Sequence, residues 1–277
     1  MQMRIIPLAA TLAAVAALAG STATTASAQR DRDSVRWDWT GSVSERSVVY
    51  VRNLNGPIRV ESTTGSAVEV SALKVARRRG NPDEVKITVE QRSSRGDVVV
   101  CARWNDRTRC DEDGYSNNSK SDWWNHDNNR GKDVCVEFTV RLPKGVRVTA
   151  SSVNGSLEIH GAESEVVANT VNGNIVATSN SGPVHAKTVN GSLTIRTGLL
   201  GRETLDYTTV NGAITLEIPD DSNADVQLRT VNGNISTDFP LTIEGRFSNR
   251  SVRGTIGRGG PLVRISTTNG SIRLRKQ

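Results

Sequence analysis

The chain has 277 residues, with 35 Lys and Arg against 29 Asp and Glu, a formal net charge of +6 and only 4% aromatic residues. The basic excess is mild and spread along the sequence, and its densest run, Arg77-Arg78-Arg79, has no interleaved aromatics, so it reads as a solvated turn and excludes a nucleic-acid-binding patch. Beyond the N-terminus no segment is apolar enough to span a bilayer, which excludes a membrane-spanning chain after removal of the leader.

Residues 1–28 have the three parts of a secretory signal peptide: a basic start at Met1-Gln2-Met3-Arg4, an apolar run from Ile5 to Gly20, and a small-residue site at Ala26-Ser27-Ala28. Cleavage is expected after Ala28, leaving about 249 residues and a charge of +5. No Cys follows the apolar run, which argues against a lipid anchor. The expected product is exported: periplasmic, on the cell surface or secreted. Residues 29–44, beginning QRDRDSVRWDWT, read as a flexible leader.

Residues 45–145 form an N-terminal β region. AVEVSALKVA, EVKITVEQ, GDVVVCARW and KDVCVEFTVRLP read as strands, because β-branched residues alternate with polar ones. They are expected to cap the N-terminal end of the repetitive region 146–277. Between them lies a polar insert, 104–132, which carries Trp104, Tyr115, Trp123 and Trp124, with Asp122 and Asn125 beside the Trp pair. Aromatics with hydrogen-bonding neighbours suit a recognition element, because flat rings offer contact area and stack on sugars; a tethered loop covering the cap is the plainer reading. Of the three cysteines, Cys101 and Cys110 are expected to bridge at the base of the insert, with Cys101–Cys135 as the rival pairing. Asp111-Glu112-Asp113-Gly114 lacks the spacing of an EF-hand loop. His126, His160 and His185 are scattered, so no metal or other cofactor is expected.

In residues 146–277 Asn-Gly recurs, at Asn154, Asn172, Asn190, Asn211, Asn232 and Asn269, at intervals of 18, 18, 21, 21 and 37 residues, with an outlying copy at Asn55. The long interval suggests a degenerate copy, SVRGTI, with Arg253 in the Asn place. Aligned on Asn, the positions six before, four before, one before and three after are apolar in nearly every copy, for example Val184, Ala186, Val189 and Leu193.

Asn-Gly is a strong hairpin signal, yet a hairpin would set Val153 against Ser156 and Ser152 against Leu157, mixing apolar with polar on both faces. Reading straight through the dipeptide places Val153, Gly155, Leu157 and Ile159 on one side and Asn154, Ser156 and Glu158 on the other. The expected fold is therefore all-β: a parallel β-solenoid of about seven to eight short coils with a modified N-terminal β cap, one continuous domain over 45–277. At about 4.8 Å per coil, seven coils make a rod of roughly 35 Å. Gly is expected to point inward at the bend. Asn154, Asn172, Asn190, Asn211, Asn232 and Asn269 are expected to stack as an outward ladder, and Thr170, Thr188, Thr209 and Thr230 as a second one.

The TVNG-x-[IL] repeats, the export signal and the segment DVCVEFTVRLPKGV ahead of them resemble the bacterial putative adhesins of the DUF4097 type over about residues 45–277. The resemblance implies a β-solenoid in the cell envelope and brings no catalytic residues with it; the Trp-rich insert and Arg253 depart from the pattern. The leading functional expectation is a non-catalytic module binding a glycan or a cell-surface protein, or serving a structural role. The alternatives are a β-helix polysaccharide-processing enzyme and an envelope-stress accessory protein. Against the enzyme, the outward positions Ser156, Asn174, Ser192, Ala213, Asn234, Thr255 and Ser271 bring no carboxylate pair to neighbouring coils.

Overall fold

In a computed structural model of the protein the described residues are 34–77, 80–92, 96–105, 108–117, 133–243, 248 and 250–277. The signal-peptide segment 1–28 and the residues Asp122, Trp123, Trp124 and Asn125 of the insert lie outside them. In the N-terminal part the strands are β1 (Ser34–Ser42), β2 (Val48–Arg52), β3 (Ile58–Ser62), β4 (Ala67–Ala76), β5 (Lys86–Arg92), β6 (Asp97–Arg103), β7 (Thr108–Cys110), β8 (Tyr115–Asn117) and β9 (Val134–Leu142). The repeats comprise β10 (Arg147–Asn154), β11 (Leu157–Ala162), β12 (Val166–Asn172), β13 (Ile175–Ser179), β14 (Val184–Lys187), β15 (Leu193–Thr197), β16 (Leu205–Thr208) and β17 (Ile214–Ile218). The chain ends with β18 (Ala224–Asn232), β19 (Ile235–Thr237), β20 (Thr242–Ile243), β21 (Ser251–Ile256), β22 (Leu262–Asn269) and β23 (Ile272–Lys276).

Two sheets enclose one core. Sheet I runs β20-β21-β18-β22-β16-β14-β12-β10-β2-β6-β5 and sheet II runs β1-β4-β9-β3-β11-β13-β15-β17-β23-β19. Each Asn-Gly lies between a strand of sheet I and the next strand of sheet II, so the dipeptide is a corner of a flattened coil and not a hairpin. Equivalent strands pair in parallel, column on column: Val148 with Val166 and Val166 with Val184 in sheet I, Leu157 with Ile175 and Ile175 with Leu193 in sheet II. The columns six and four before Asn are buried from sheet I, as in Val184 and Ala186, and the column three after is buried from sheet II, as in Leu193. The fourth position before Asn is Ala150, Ala168 and Ala186 in three coils and the larger Tyr207, Leu228 and Ile265 in the others, all fully buried.

Four sequence expectations are corrected. First, Thr170, Thr188, Thr209 and Thr230 point inward and are buried, whereas Val171, Val189, Val210 and Val231 are outward and 39–48% exposed. Alternation within a sheet I strand puts positions six, four and two before Asn on one face. The corner then resets the phase, and a straight-through reading misses that reset. Second, the corner glycines do not face a thin core. A Cβ on Gly212 would overlap the carbonyl of Gly191 on the next coil, and the same holds for Gly173 over Gly155 and Gly191 over Gly173. Backbone lies against backbone at every corner.

Third, SVRGTI forms no coil. It is β21, antiparallel to β18, with Arg253 opposite Gln227. The coils also do not stack in chain order at the C-terminus, because β22–β23 sits between β16–β17 and β18–β19. Fourth, much of the supposed leader is ordered. Residues Ser34–Ser42 pair antiparallel with β4, and Trp37 and Trp39 pack on the core. At this end β4 and β1 extend sheet II and β5 extends sheet I, all antiparallel, while β6 and β9 pair in parallel with β2 and β3. The pair β6 and β9 thus makes a coil whose corner is replaced by the insert.

These assignments generate a paired test. The Thr209 hydroxyl donates to the Gly191 carbonyl at 2.9 Å. Thr209→Val leaves that buried acceptor unmet and should cost about 1–3 kcal/mol, whereas Val210→Thr on the outer wall should stay within about 0.5 kcal/mol of wild type. Gly212→Ala should cost about 1–3 kcal/mol by overpacking and Asn211→Ala about 0.5–1.5 kcal/mol. Urea unfolding of the four variants checks the order; a larger loss from Val210→Thr than from Thr209→Val would reverse the assignment of faces.

Candidate interaction surface

Two surfaces carry chemistry beyond packing. The first is the corner ribbon. Along it the Asn amides form a continuous chain: Asn172 Nδ2 donates to Asn154 Oδ1 (2.8 Å), Asn190 to Asn172 (2.8 Å), Asn211 to Asn190 (2.7 Å), Asn269 to Asn211 (2.7 Å) and Asn232 to Asn269 (2.8 Å). A side-chain amide has two N–H groups and two acceptor lone pairs. A ladder bond on each side therefore leaves one donor and one acceptor per coil for an outside partner. Beside the Asn column runs the exposed row Val171, Val189, Val210 and Val231. The ribbon thus presents an amide at each of these coils, about 4.8 Å apart, with a Val beside it except in the coil β22–β23, where Thr268 takes that place.

The second surface is the insert. The hairpin of β7 and β8 folds over the outer face of sheet I, where Val99, Cys101, Cys110, Tyr50 and Tyr115 form a small apolar cluster of their own. Three devices pin it. Cys101 and Cys110 are bridged, with Cα atoms 5.9 Å apart. The Tyr115 hydroxyl bonds the carbonyls of Ala102 and of Arg52 (3.2 Å). Arg52, 3% exposed, donates to the carbonyls of Asp111 (3.2 Å) and Glu112, and to Ser151 Oγ (2.6 Å), and lies over the Tyr50 ring at 5.3 Å. Burial pushes its guanidinium down from the ordinary value, offset in part by Tyr50 and the acidic loop. Between β5 and the hairpin is a cleft of about 380 Å³ lined by Thr88, Glu90, Arg92, Arg103, Thr108 and Arg109.

The aromatic site read from the sequence is not assembled by the described residues. Trp104 packs against the main core and Tyr115 against the outer face of sheet I, so both serve the fold. Trp123, Trp124, Asp122 and Asn125 lie outside the described residues, as does His126. The acidic run is a turn: Asp111 Oδ1 accepts from the backbone N–H of Asp113 (3.0 Å) and Gly114 (2.9 Å). His160 stands on sheet II and His185 on sheet I, so the fold separates them. Arg52 and the cleft were missed by sequence reasoning. Alternation with the inward Val49 and Val51 places Arg52 on the outer face of its strand, and only the hairpin folded over that face buries it.

The model of the family described as Toastrack DUF4097 matches residues 40–275. Among curated proteins none matches the chain. Similar solved structures include a putative cell adhesion protein from Clostridium sporogenes, 10% identical, covering 88% of this chain and 100% of that one with a TM-score of 0.42. A putative adhesin from Bacteroides fragilis is 11% identical, covering 88% of this chain and 97% of that one with a TM-score of 0.31. Another from Parabacteroides distasonis is 9% identical, covering 88% and 98% with a TM-score of 0.30.

The insert's anchoring sets two expectations. Thiol titration of the unfolded, unreduced protein should find one thiol, Cys135; in the native state it should react slowly, because it is 3% exposed and burial raises its pKa. All three phenols are raised above the ordinary 10.0, chiefly by burial, with Glu112 and Asp97 adding to it at Tyr50. A raised phenol favours the fold below the unfolded value, and that contribution is lost as pH climbs through the folded values. Phenolate absorbance should therefore show at most the Tyr50 step before alkaline unfolding, with Tyr115 and Tyr207 ionising together with loss of circular dichroism. A full three-tyrosine step near pH 10 in the folded protein would contradict the packing described.

Proposed function

This chain belongs to the Toastrack DUF4097 family, and on that premise we propose that it is a non-catalytic cell-envelope module that attaches to glycans through its rigid outer ribbon. Residues 1–28 would direct its export, and the Cys101–Cys110 bridge suits an oxidising compartment. The observation that carries the reading is the corner ribbon itself. One Asn amide recurs at each coil from Asn154 to Asn269, held in register by ladder bonds of 2.7–2.8 Å, and a Val stands beside it in all of them but β22–β23, which has Thr268 there.

The physical case is one of preorganised repetition. Each coil contributes only a weak hydrogen bond and a small apolar contact. A polymer lying along the ribbon meets several of them at once, and the effective concentration of each later contact is set by the rod. No side chain has to be ordered on binding, because the ladder has already ordered it, which lowers the entropic cost of each contact. A polysaccharide chain, with hydroxyls and apolar ring faces at regular spacing, is the partner chemistry that such a surface fits.

The test uses purified envelope polysaccharides immobilised on beads. In Val171→Glu/Val189→Arg/Val210→Glu the new charges alternate between neighbouring strands, so they pair instead of repelling and the unfolding midpoint should stay near wild type. Retention on the beads should fall at least about tenfold, the equivalent of 1.4 kcal/mol. Retention equal to wild type would move the binding surface off the ribbon.

A further inference from the structure

Stack order and chain order part company at one place. The coil β22–β23 is last in the chain but next to last in the stack. Its junctions are indistinguishable from those between consecutive coils. Thr267 Oγ1 reaches Gly212 O at 3.0 Å and Thr230 Oγ1 reaches Gly270 O at 2.8 Å, against 2.9–3.0 Å for Thr170, Thr188 and Thr209. The Asn bonds on its two sides, 2.7 and 2.8 Å, repeat those elsewhere. The coil β18–β19 carries the same columns, Val226, Leu228, Thr230 and Asn232. The face now covered by β22–β23 on either side is thus a generic coil face that accepts any coil of this sequence.

The intercalated coil follows β21 through the loop 257–261, and outside its strand pairing it is held by surface contacts such as Arg264 to Asp206 and Gln277 to the carbonyls of Thr197 and Glu217. That loop crosses the start of β18, joining β21 on one side of it to β22 on the other. It turns on Gly257 and Gly259, both in the left-handed region at φ 59° and 76°, and its Arg258 N–H is held by Asn223 Oδ1 at 2.8 Å. Val263, Ile265, Ile272 and Leu274 are fully buried, so the coil is not at rest unless it fills such a slot.

We propose that the C-terminal coil, Leu262–Lys276, is an exchangeable donor, and that the slot between β16–β17 and β18–β19 is a binding site for the same segment of a second copy of this chain. Exchange preserves every ladder contact and changes only the loop, which is the condition under which swapping costs little. Opening is eased further because β18–β19 can close onto β16–β17 through matching columns once the donor has left. Reciprocal exchange yields a closed dimer and one-way exchange a head-to-tail chain. This self-association stands apart from the glycan reading and does not depend on it.

Two measurements on the full chain test it. In native-state hydrogen exchange, amides of β22 and β23 should exchange at least about tenfold faster than those of β12 and β13, because withdrawal opens the first pair without global unfolding; equal protection would overturn the proposal. In the second, tagged and untagged copies are mixed at high concentration in mild urea and returned to buffer. Untagged chain should co-purify with tagged chain, in a species of twice the monomer mass or more. Asn211→Cys/Asn269→Cys places thiols on adjacent parallel strands, within disulfide reach. Oxidised beforehand as a dilute monomer, it should abolish co-purification, and reduction should restore it. Absence of mixed species from the unlocked chain, or their formation with the lock closed, would refute the exchange.

Discussion

The close approach of one corner glycine to the next is the constraint on which the rest of the structure depends. At each corner three ladders run side by side. The Gly N–H bonds the Asn carbonyl of the neighbouring coil, as Gly155 does to Asn172 at 3.0 Å. The Thr hydroxyl bonds the Gly carbonyl, and the Asn amide bonds the next Asn amide. Any side chain in place of Gly would enter the backbone of the adjacent coil. The corner is therefore a site where buried polar groups are satisfied by the coils above and below, which is how a chain can bend sharply beside its core without leaving orphaned donors. In the first copy Asn53 takes the place of Thr: its Nδ2 reaches Gly56 O at 2.9 Å and Val136 O at 2.7 Å. The same stitch thus extends into the coil that lacks an Asn-Gly of its own.

From that constraint comes interchangeability. Because the six Asn-Gly coils from Asn154 to Asn269 meet through the same contacts, the stack specifies register strongly and neighbour identity weakly. Order along the rod is then left to connection lengths and to the caps. Antiparallel strands finish both ends: β4, β1 and β5 at one, β21 and β20 at the other. They break the parallel pattern and so prevent endless addition of coils at the edges they cover. Sheet II ends in the three-residue β19, and a strand so short is a poor template for further pairing.

The insert solves a different problem. A hairpin of two three-residue strands has little stability alone, and it is held here by a bridge, a half-buried tyrosine and a buried arginine that serves backbone carbonyls. Arg52 is spent on structure, which is why it contributes no free positive charge to the outer face. The ribbon and the cleft beside the hairpin lie on a frame that does not need to move to present them.

The repeat, the all-β class, the parallel stacking, the outward Asn ladder and the Cys101–Cys110 pairing could be read from the residues, because each is local or periodic. Asn-Gly spacing, apolar columns and cysteine proximity are properties of the chain itself. The inward Thr column was also legible in principle, since alternation from Val184 through Ala186 leads to Thr188 and not to Val189. It was obscured because Val is the more apolar residue and the corner shifts the phase. What the sequence could not decide was the order of the last coils, the antiparallel fate of SVRGTI, the pairing of Ser34–Ser42 with β4 and the inward turn of Trp104 and Tyr115. These are choices among partners with nearly equal local fitness. A coil face fits any coil and an amphipathic strand fits several edges, so only the completed tertiary structure, with its loops closed and its ends capped, selects one.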